Sequence, residues 1–328
     1  MSFRLARPML PVAFLFLFAS GAMADEYSAL MKEKKYAEAS AAANVALAKD
    51  PANASALVVK SRLIMLQTPD SGIDEAVALA EKCVAAHPKT SVCHDALGQA
   101  LGTKAMMRGI LASIGSAPTI RESFKTAVEL DPQNMSARFD LLQYYMQAPS
   151  IVGGGSDKAR LLAIDTAKAH SEGGKLMTAL IDFIEDRAAQ AESAALKVQP
   201  GSNDDLANTQ RDVLLGLSWK YMKAGKFDDA IRLFKEVQKR FPIAEGAPFG
   251  IGVVMQTQGK HQEAIAALQQ ANTIFPSAEF DYHMGISWQA MHDTPKALAL
   301  FEKALSAKPA LKKPKRQDAE KRLKELKA

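Results

Sequence analysis

Leu214-x-x-Leu217-Ser218-x-x-Tyr221 is followed at set distances by Gly225, Ala230, Phe234, Val237 and Pro242. The same order returns twice. Ile251-Gly252-x-x-Met255 precedes Gly259, Ala264, Leu268, Ala271 and Pro276, and Met284-Gly285-x-x-Trp288 precedes Ala297, Phe301, Ala304 and Pro309. Alanines at 230, 264 and 297 and prolines at 242, 276 and 309 step by 34 and 33 residues. A period of this size is the mark of a stacked repeat array. Each period reads as two short antiparallel helices. Ser218, Gly252 and Gly285 let the first helix come close to its partner, and Ala230, Ala264 and Ala297 do the same from the second. Tyr221, Met255, Trp288, Phe234, Leu268 and Phe301 fill the space between them. Gly225 and Gly259 suit the turn, and the prolines stop the second helix. One hairpin cannot bury its apolar face alone, so the units must stack.

This pattern resembles the tetratricopeptide repeat family, with its order L-G-x-x-Y, A-x-x-x-F and P. The resemblance implies an all-α solenoid of helical hairpins with a concave face, lined by the first helix of each pair, that takes up a protein partner. Carried over residue by residue, the lining is Leu215, Trp219 and Met222, then Phe249, Val253 and Gln256, then Tyr282, Ile286 and Gln289, with Phe139, Gln143 and Met146 in an earlier hairpin. That row is apolar for a solvent-facing surface, which points to an extended or helical apolar segment as the ligand. The other reading is a row covered from inside by the C-terminal tail or the N-terminal half. Some relatives grip a C-terminal carboxylate through Lys and Asn on these rows. Here Lys223 stands nearly alone, which speaks against that mode.

Upstream the pattern weakens. Ala39, Ala43, Ala46 and Pro51 read as the second helix of a first hairpin, and Ala76, Ala80, Cys83 and Pro88 as that of a second. Leu97-Gly98-x-x-Leu101 opens a third, closed by Phe124, Ala127 and Pro132, with extra length between Lys104 and Ser116. Phe139-x-Leu141-Leu142-x-x-Tyr145 opens a fourth, whose second helix runs from about Ser156 to His170. Residues 175–198 form a degenerate fifth pair. Pro200-Gly201-Ser202-Asn203-Asp204 is the clearest break. The expected organisation is a signal peptide over 1–24, irregular repeats over 25–200, regular repeats over 201–309 and a basic capping helix over 310–328.

The N-terminus has Arg4 and Arg7, then an apolar stretch from Met9 to Ala19, then Ala22-Met23-Ala24 before Asp25. That is the layout of a secretory signal peptide. The stretch is shorter than the ~20 residues of a comfortable membrane span, which disfavours an uncleaved anchor. No Cys follows the cleavage site, which disfavours a lipoprotein. The reading is an exported protein, soluble after cleavage, in a bacterial periplasm. The formal charge is +5, and +3 without Arg4 and Arg7. From Lys308 onward nine Lys/Arg face three Asp/Glu, so the preceding body carries −3. Basicity is therefore a property of the tail. It offers contact with a membrane or anionic polymer and does not indicate a nucleic-acid partner.

Motifs for chemistry are thin. No H-E-x-x-H, G-x-S-x-G or phosphate-loop pattern occurs, so no catalytic residue, cofactor or metal is assigned. Pro149 to Lys158 holds Gly153-Gly154-Gly155 and reads as a lengthened turn with Ser156 or Asp157 as helix cap. It resembles a turn carried by several exported bacterial proteins of this repeat type. Asp204-Asp205 and Asp228-Asp229 read as solvated helix starts. Cys83, His87, Cys93 and His94 are the only dense set of candidate ligands. A Cys83–Cys93 disulfide is favoured, because both cysteines lie five residues from Pro88 on either side of one turn. Free buried thiols and a metal site stand as alternatives. The function read from the sequence is a non-catalytic scaffold for a protein segment. A metal- or small-ligand-binding protein and a cell-envelope assembly factor are the other classes.

Overall fold

A computed structural model describes residues 25–109 and 114–328. The signal-peptide reading of 1–24 lies outside the described residues, as does 110–113 within the third hairpin's extra length. The described chain contains seventeen α-helices and no strand. Five antiparallel pairs come first: α1 (Asp25–Lys32) with α2 (Tyr36–Lys49), α3 (Ala54–Gln67) with α4 (Pro69–Ala86), α5 (Ser91–Arg108) with α6 (Ala117–Leu130), α7 (Met135–Gln147) with α8 (Ser156–Ala169), and α9 (Ser171–Ile184) with α10 (Ala188–Lys197). Three regular pairs follow: α11 (Asp204–Lys223) with α12 (Phe227–Arg240), α13 (Gly246–Thr257) with α14 (His261–Ile274), and α15 (Ala278–Ala290) with α16 (Thr294–Ser306). The last element is α17 (Lys313–Lys327). The fold is an all-α solenoid of helical hairpins. It divides into two compact units, an N-terminal one ending at Gln210 and a C-terminal one beginning at Arg211.

The turn inside five of the eight described hairpins is cut to one pattern. Gly225 and Gly259 have φ of 73° and 75°, each two residues before the second helix. His292 occupies the same place in the last pair with φ 61°. Lys34 and Asp186 do so in the first and fifth pairs, at 56° and 66°. The fifth pair, degenerate in sequence, thus keeps the turn of the regular ones. Helix starts are fastened by side chains where the sequence supplies them: Asn53, Asn134, Ser277 and Asp293 each accept a backbone N–H of the following turn.

Small residues meet large ones as the period requires. A Cβ added at Gly252 would lie 2.7 Å from Leu268, and one at Gly285 2.9 Å from Phe301. Gly98 repeats the arrangement against Phe124 at 2.5 Å. Cys83 and Cys93 are fully buried and joined as a disulfide, with Cα atoms 5.3 Å apart, tying α4 to α5. Their sulfurs are thus unavailable as metal ligands. His87 and His94 each turn a ring nitrogen to a carbonyl, Ala52 O at 2.6 Å and Pro88 O at 2.8 Å.

Two local expectations are corrected. Neither Ser156 nor Asp157 caps α8. Gly155 stands at the cap with φ 138°, its N–H bonded to Tyr145 O at 2.7 Å and its carbonyl accepting from Lys158 and Ala159. The lysine side chain of Lys158 then closes the turn on Gly153 O. Asp205 is not solvated either; it is buried in the N-terminal unit.

Candidate functional site

In the C-terminal unit the first helices of successive pairs carry Leu215, Trp219 and Met222, then Phe249, Val253 and Gln256, then Tyr282, Ile286 and Gln289 at matching places. Within each helix the three residues are four and three apart, which sets them on one face. The aromatic members form a continuous chain. Trp219 meets Phe234 edge-on at 5.2 Å and Phe249 at 5.8 Å, and Phe249 lies 4.9 Å from Phe280 and 5.4 Å from His283. Tyr282 continues it, 5.1 Å from His283 and 6.3 Å from Phe301. Leu215, Trp219, Met222, Phe249 and Val253 are half-buried, so they are packed along one edge and open along the other.

Gln256 is bound into this wall. Its amide donates to His283 O and Ser287 Oγ, both at 2.7 Å, and its Oε1 accepts from His283 Nδ1 at 2.8 Å. Burial, with Lys315 adding to it, lowers the His283 pKa to about 4, so the ring is neutral at physiological pH. The face is thus apolar at Leu215, Trp219, Met222, Phe249 and Val253, with a neutral His283 beside it.

The remaining predicted lining residues are placed otherwise. Tyr282 is only 7% exposed, because α17 lies over it. Its hydroxyl donates to Asp318 at 2.7 Å. Ile286 packs into the same core, with Leu311, Ala319, Leu323 and Leu326. Gln289 accepts from Arg322 at 2.9 Å. For these three the covered-row reading is the right one: the tail is the cover. Lys315 pairs with Glu279 and Lys327 with Glu302, so part of the tail's positive charge is spent on its own unit. Phe139, in the N-terminal unit, is 1% exposed and belongs to the core, whereas Met146 is half-buried. Ser136 and Asp140, four apart on the same helix, share a face of α7 that meets other helices.

That face belongs to a cluster the sequence reading missed. Arg62 of α3, Asp95 of α5, Asp140 of α7 and Asp205 of α11 are 1%, 0%, 2% and 6% exposed. Arg62 donates to Asp95 Oδ2 and to Gln99 Oε1, each at 3.1 Å. Gln99 donates to Asp140 Oδ2 at 2.7 Å and to Asp95 Oδ2 at 3.2 Å, and Ser136 Oγ to Asp95 Oδ2 at 3.1 Å. Asp205 accepts the backbone N–H of Ser136 and feels Arg62 and Asp95. Burial raises the pKa of Asp95 and pushes that of Asp140 well up, with Asp95 beside it adding to the shift. Asp205 is raised to about 6 by burial. A signal was present in the sequence. Lys60-Ser61-Arg62 breaks the apolar stretch from Leu57 to Leu66, and Asp95/Gln99 and Ser136/Asp140 are each four apart on one helix face.

Among the described residues, no group of three or more His, Cys, Asp or Glu side chains is placed to hold a metal. No described helix is long and apolar enough to cross a membrane.

Residues 215–279, which span Leu215, Trp219, Phe249 and Val253, match the family model of the tetratricopeptide repeat. Over that segment the chain carries tetratricopeptide repeats. No curated protein matches the sequence. Among solved structures, a chain of the APC/C hetero-tetramer Cut9–Hcn1 is 15% identical at a TM-score of 0.46, over 92% of this chain and 54% of that one. This chain thus spans about half of that relative's length. A tetratricopeptide repeat protein from Parabacteroides merdae is 16% identical at 0.43, over 92% and 96%. PilF of Pseudomonas aeruginosa is 11% identical at 0.43, over 82% and 97%. The matched segment covers the half-buried aromatic face from Leu215 to Val253 and ends in the first turn of α15.

Proposed function

We propose that this chain is a non-catalytic scaffold that holds an apolar segment of another protein against Leu215, Trp219, Met222, Phe249 and Val253. The observation that carries the reading is the chain of half-buried aromatic rings from Trp219 to Phe249, kept open on one edge without a charge in it. Aromatic side chains held rigid in this way contribute large contact area at low entropic cost and are the usual anchors of protein interfaces. Tetratricopeptide repeats commonly serve as protein-binding modules and are generally non-catalytic, which supports both halves of the proposal. The Arg4 to Ala24 layout supports export to a bacterial periplasm, and the Cys83–Cys93 bond suits an oxidising compartment.

Site-specific photocrosslinking tests the reading. A crosslinker at Val253 is expected to capture a discrete protein, and Trp219→Ala in the same chain to reduce that capture about tenfold or more, as loss of an interface anchor does. A crosslinker at Lys235, on the exposed side of α12, serves as the control. Equal capture from positions 253 and 235, or capture at 253 unmoved by Trp219→Ala, ends the proposal.

A further inference from the structure

The buried cluster of the N-terminal unit holds three carboxylates and one guanidinium. Fully ionised it would bury two uncompensated negative charges. An unpaired buried charge costs several kcal/mol, so such groups stay protonated instead. Geometry says where the protons sit: Asp95 Oδ2 takes Arg62, Gln99 and Ser136, which favours its ionised form, so the two protons fall to Asp140 and Asp205.

Four helices meet here, and each is also paired within its own hairpin. The fourth contribution, the first turn of α11, follows the Pro200–Asn203 break, where Gly201 has φ 59°. Besides the cluster, contacts of its own fasten it. Lys32 reaches Asp204 at 2.9 Å across an exposed pair, a contact worth little. Gln210 donates to Ala195 O and Val198 O, Leu206 is buried, and the fully buried Thr209 Oγ1 has no partner.

We propose that the cluster is a proton-dependent clasp. While it holds its protons, the first turn of α11 is fastened onto α3, α5 and α7. Loss of those protons releases residues 203–210 and uncovers the face that carries Arg62, Asp95 and Asp140. The groups facing Asp205 are Arg62 on α3, Asp95 on α5, the Ser136 N–H on α7 and Asp204 on its own helix, with Lys32 of α1 reaching Asp204. Asp140 faces Asp95 and Arg62. All three carboxyl groups bind protons more tightly when buried than when exposed. The closed form is therefore favoured at low pH and weakens as pH rises from the ordinary carboxyl value to the buried one, a window that for Asp205 runs from 3.8 to about 6.

Hydrogen exchange of the full chain at pH 5, 6.5 and 8, corrected for the intrinsic rate, reads the clasp directly. Protection of 203–210 is expected to fall at least ~10-fold from pH 5 to 8 relative to α4, one pKa unit being a factor of ten. Asp205→Asn cannot ionise and is expected to remove most of that fall. Asp205→Ser likewise cannot ionise and is expected to leave 203–210 protected at pH 8, which secures the test should Asp205→Asn not fold. Constant protection in the unsubstituted chain, or an unchanged fall in whichever variants fold, overturns the clasp.

Discussion

At the residue scale, close approach between helices decides which positions tolerate change. Gly252 and Gly285 were marked by the 34-residue period. Gly250 was not, because its constraint comes from the preceding hairpin. A Cβ at Gly250 would sit 2.2 Å from the ring of Phe234, and Phe234 is itself fully buried between its neighbours and cannot swing away. Gly250→Ala is therefore expected to destabilise the C-terminal unit by about 1–3 kcal/mol, the usual cost of overpacking a filled core. Urea unfolding followed by tryptophan fluorescence checks this, since Trp219 and Trp288 both lie in that unit. No loss of stability would mean that Phe234 has somewhere to go. The same logic explains what the sequence hid elsewhere. Contacts within one hairpin repeat at a fixed offset and can be read. Contacts between hairpins, such as Gly250 with Phe234 or Asp205 with Arg62, depend on which helices stack, and no offset reveals them. Tyr282 shows the reverse error: its place in the repeat was right, but α17 covers it.

At the element scale, hairpins are held to one another by different means along the chain. The regular pairs rely on small-to-large packing. The second and third pairs have the Cys83–Cys93 bond as well, and spacing around Pro88 was enough to suggest it. Its loop is short, with a sequence separation of 10. Loop-closure entropy for such a loop is worth ~2–3 kcal/mol. The double change Cys83→Ala/Cys93→Ala is accordingly expected to lower the stability of the N-terminal unit by about that amount while leaving the C-terminal unit's fluorescence-monitored transition in place. A shift of the fluorescence transition of equal size would show that the bond acts well beyond the pairs it joins. The tail was legible as a helix from Ala319, Leu323 and Leu326. What it covers was legible only as one of two readings, because the choice depends on Asp318 and Arg322 reaching Tyr282 and Gln289 across the preceding turn.

At the scale of the whole molecule, the two units respond to acid in opposite senses. In the N-terminal unit the raised carboxyl groups of Asp95, Asp140 and Asp205 make folding take up protons, so stability falls as pH rises. In the C-terminal unit His283 is buried neutral, its pKa lowered to about 4 from 6.5. Unfolding frees that ring to take a proton. Its contribution is therefore complete above pH 6.5 and is lost as pH falls towards 4. Asp212, raised by burial, works against this slope within the same unit, so the wild-type curve alone does not isolate the histidine. The difference between wild type and His283→Gln does, because glutamine has no charge to gain. That difference is expected to shrink by about 1–3 kcal/mol between pH 7.5 and pH 4.5, read from fluorescence-monitored urea unfolding. A difference independent of pH would mean that the ring protonates in place, and that the wall formed by Gln256, Phe249 and His283 is wetter than its packing implies.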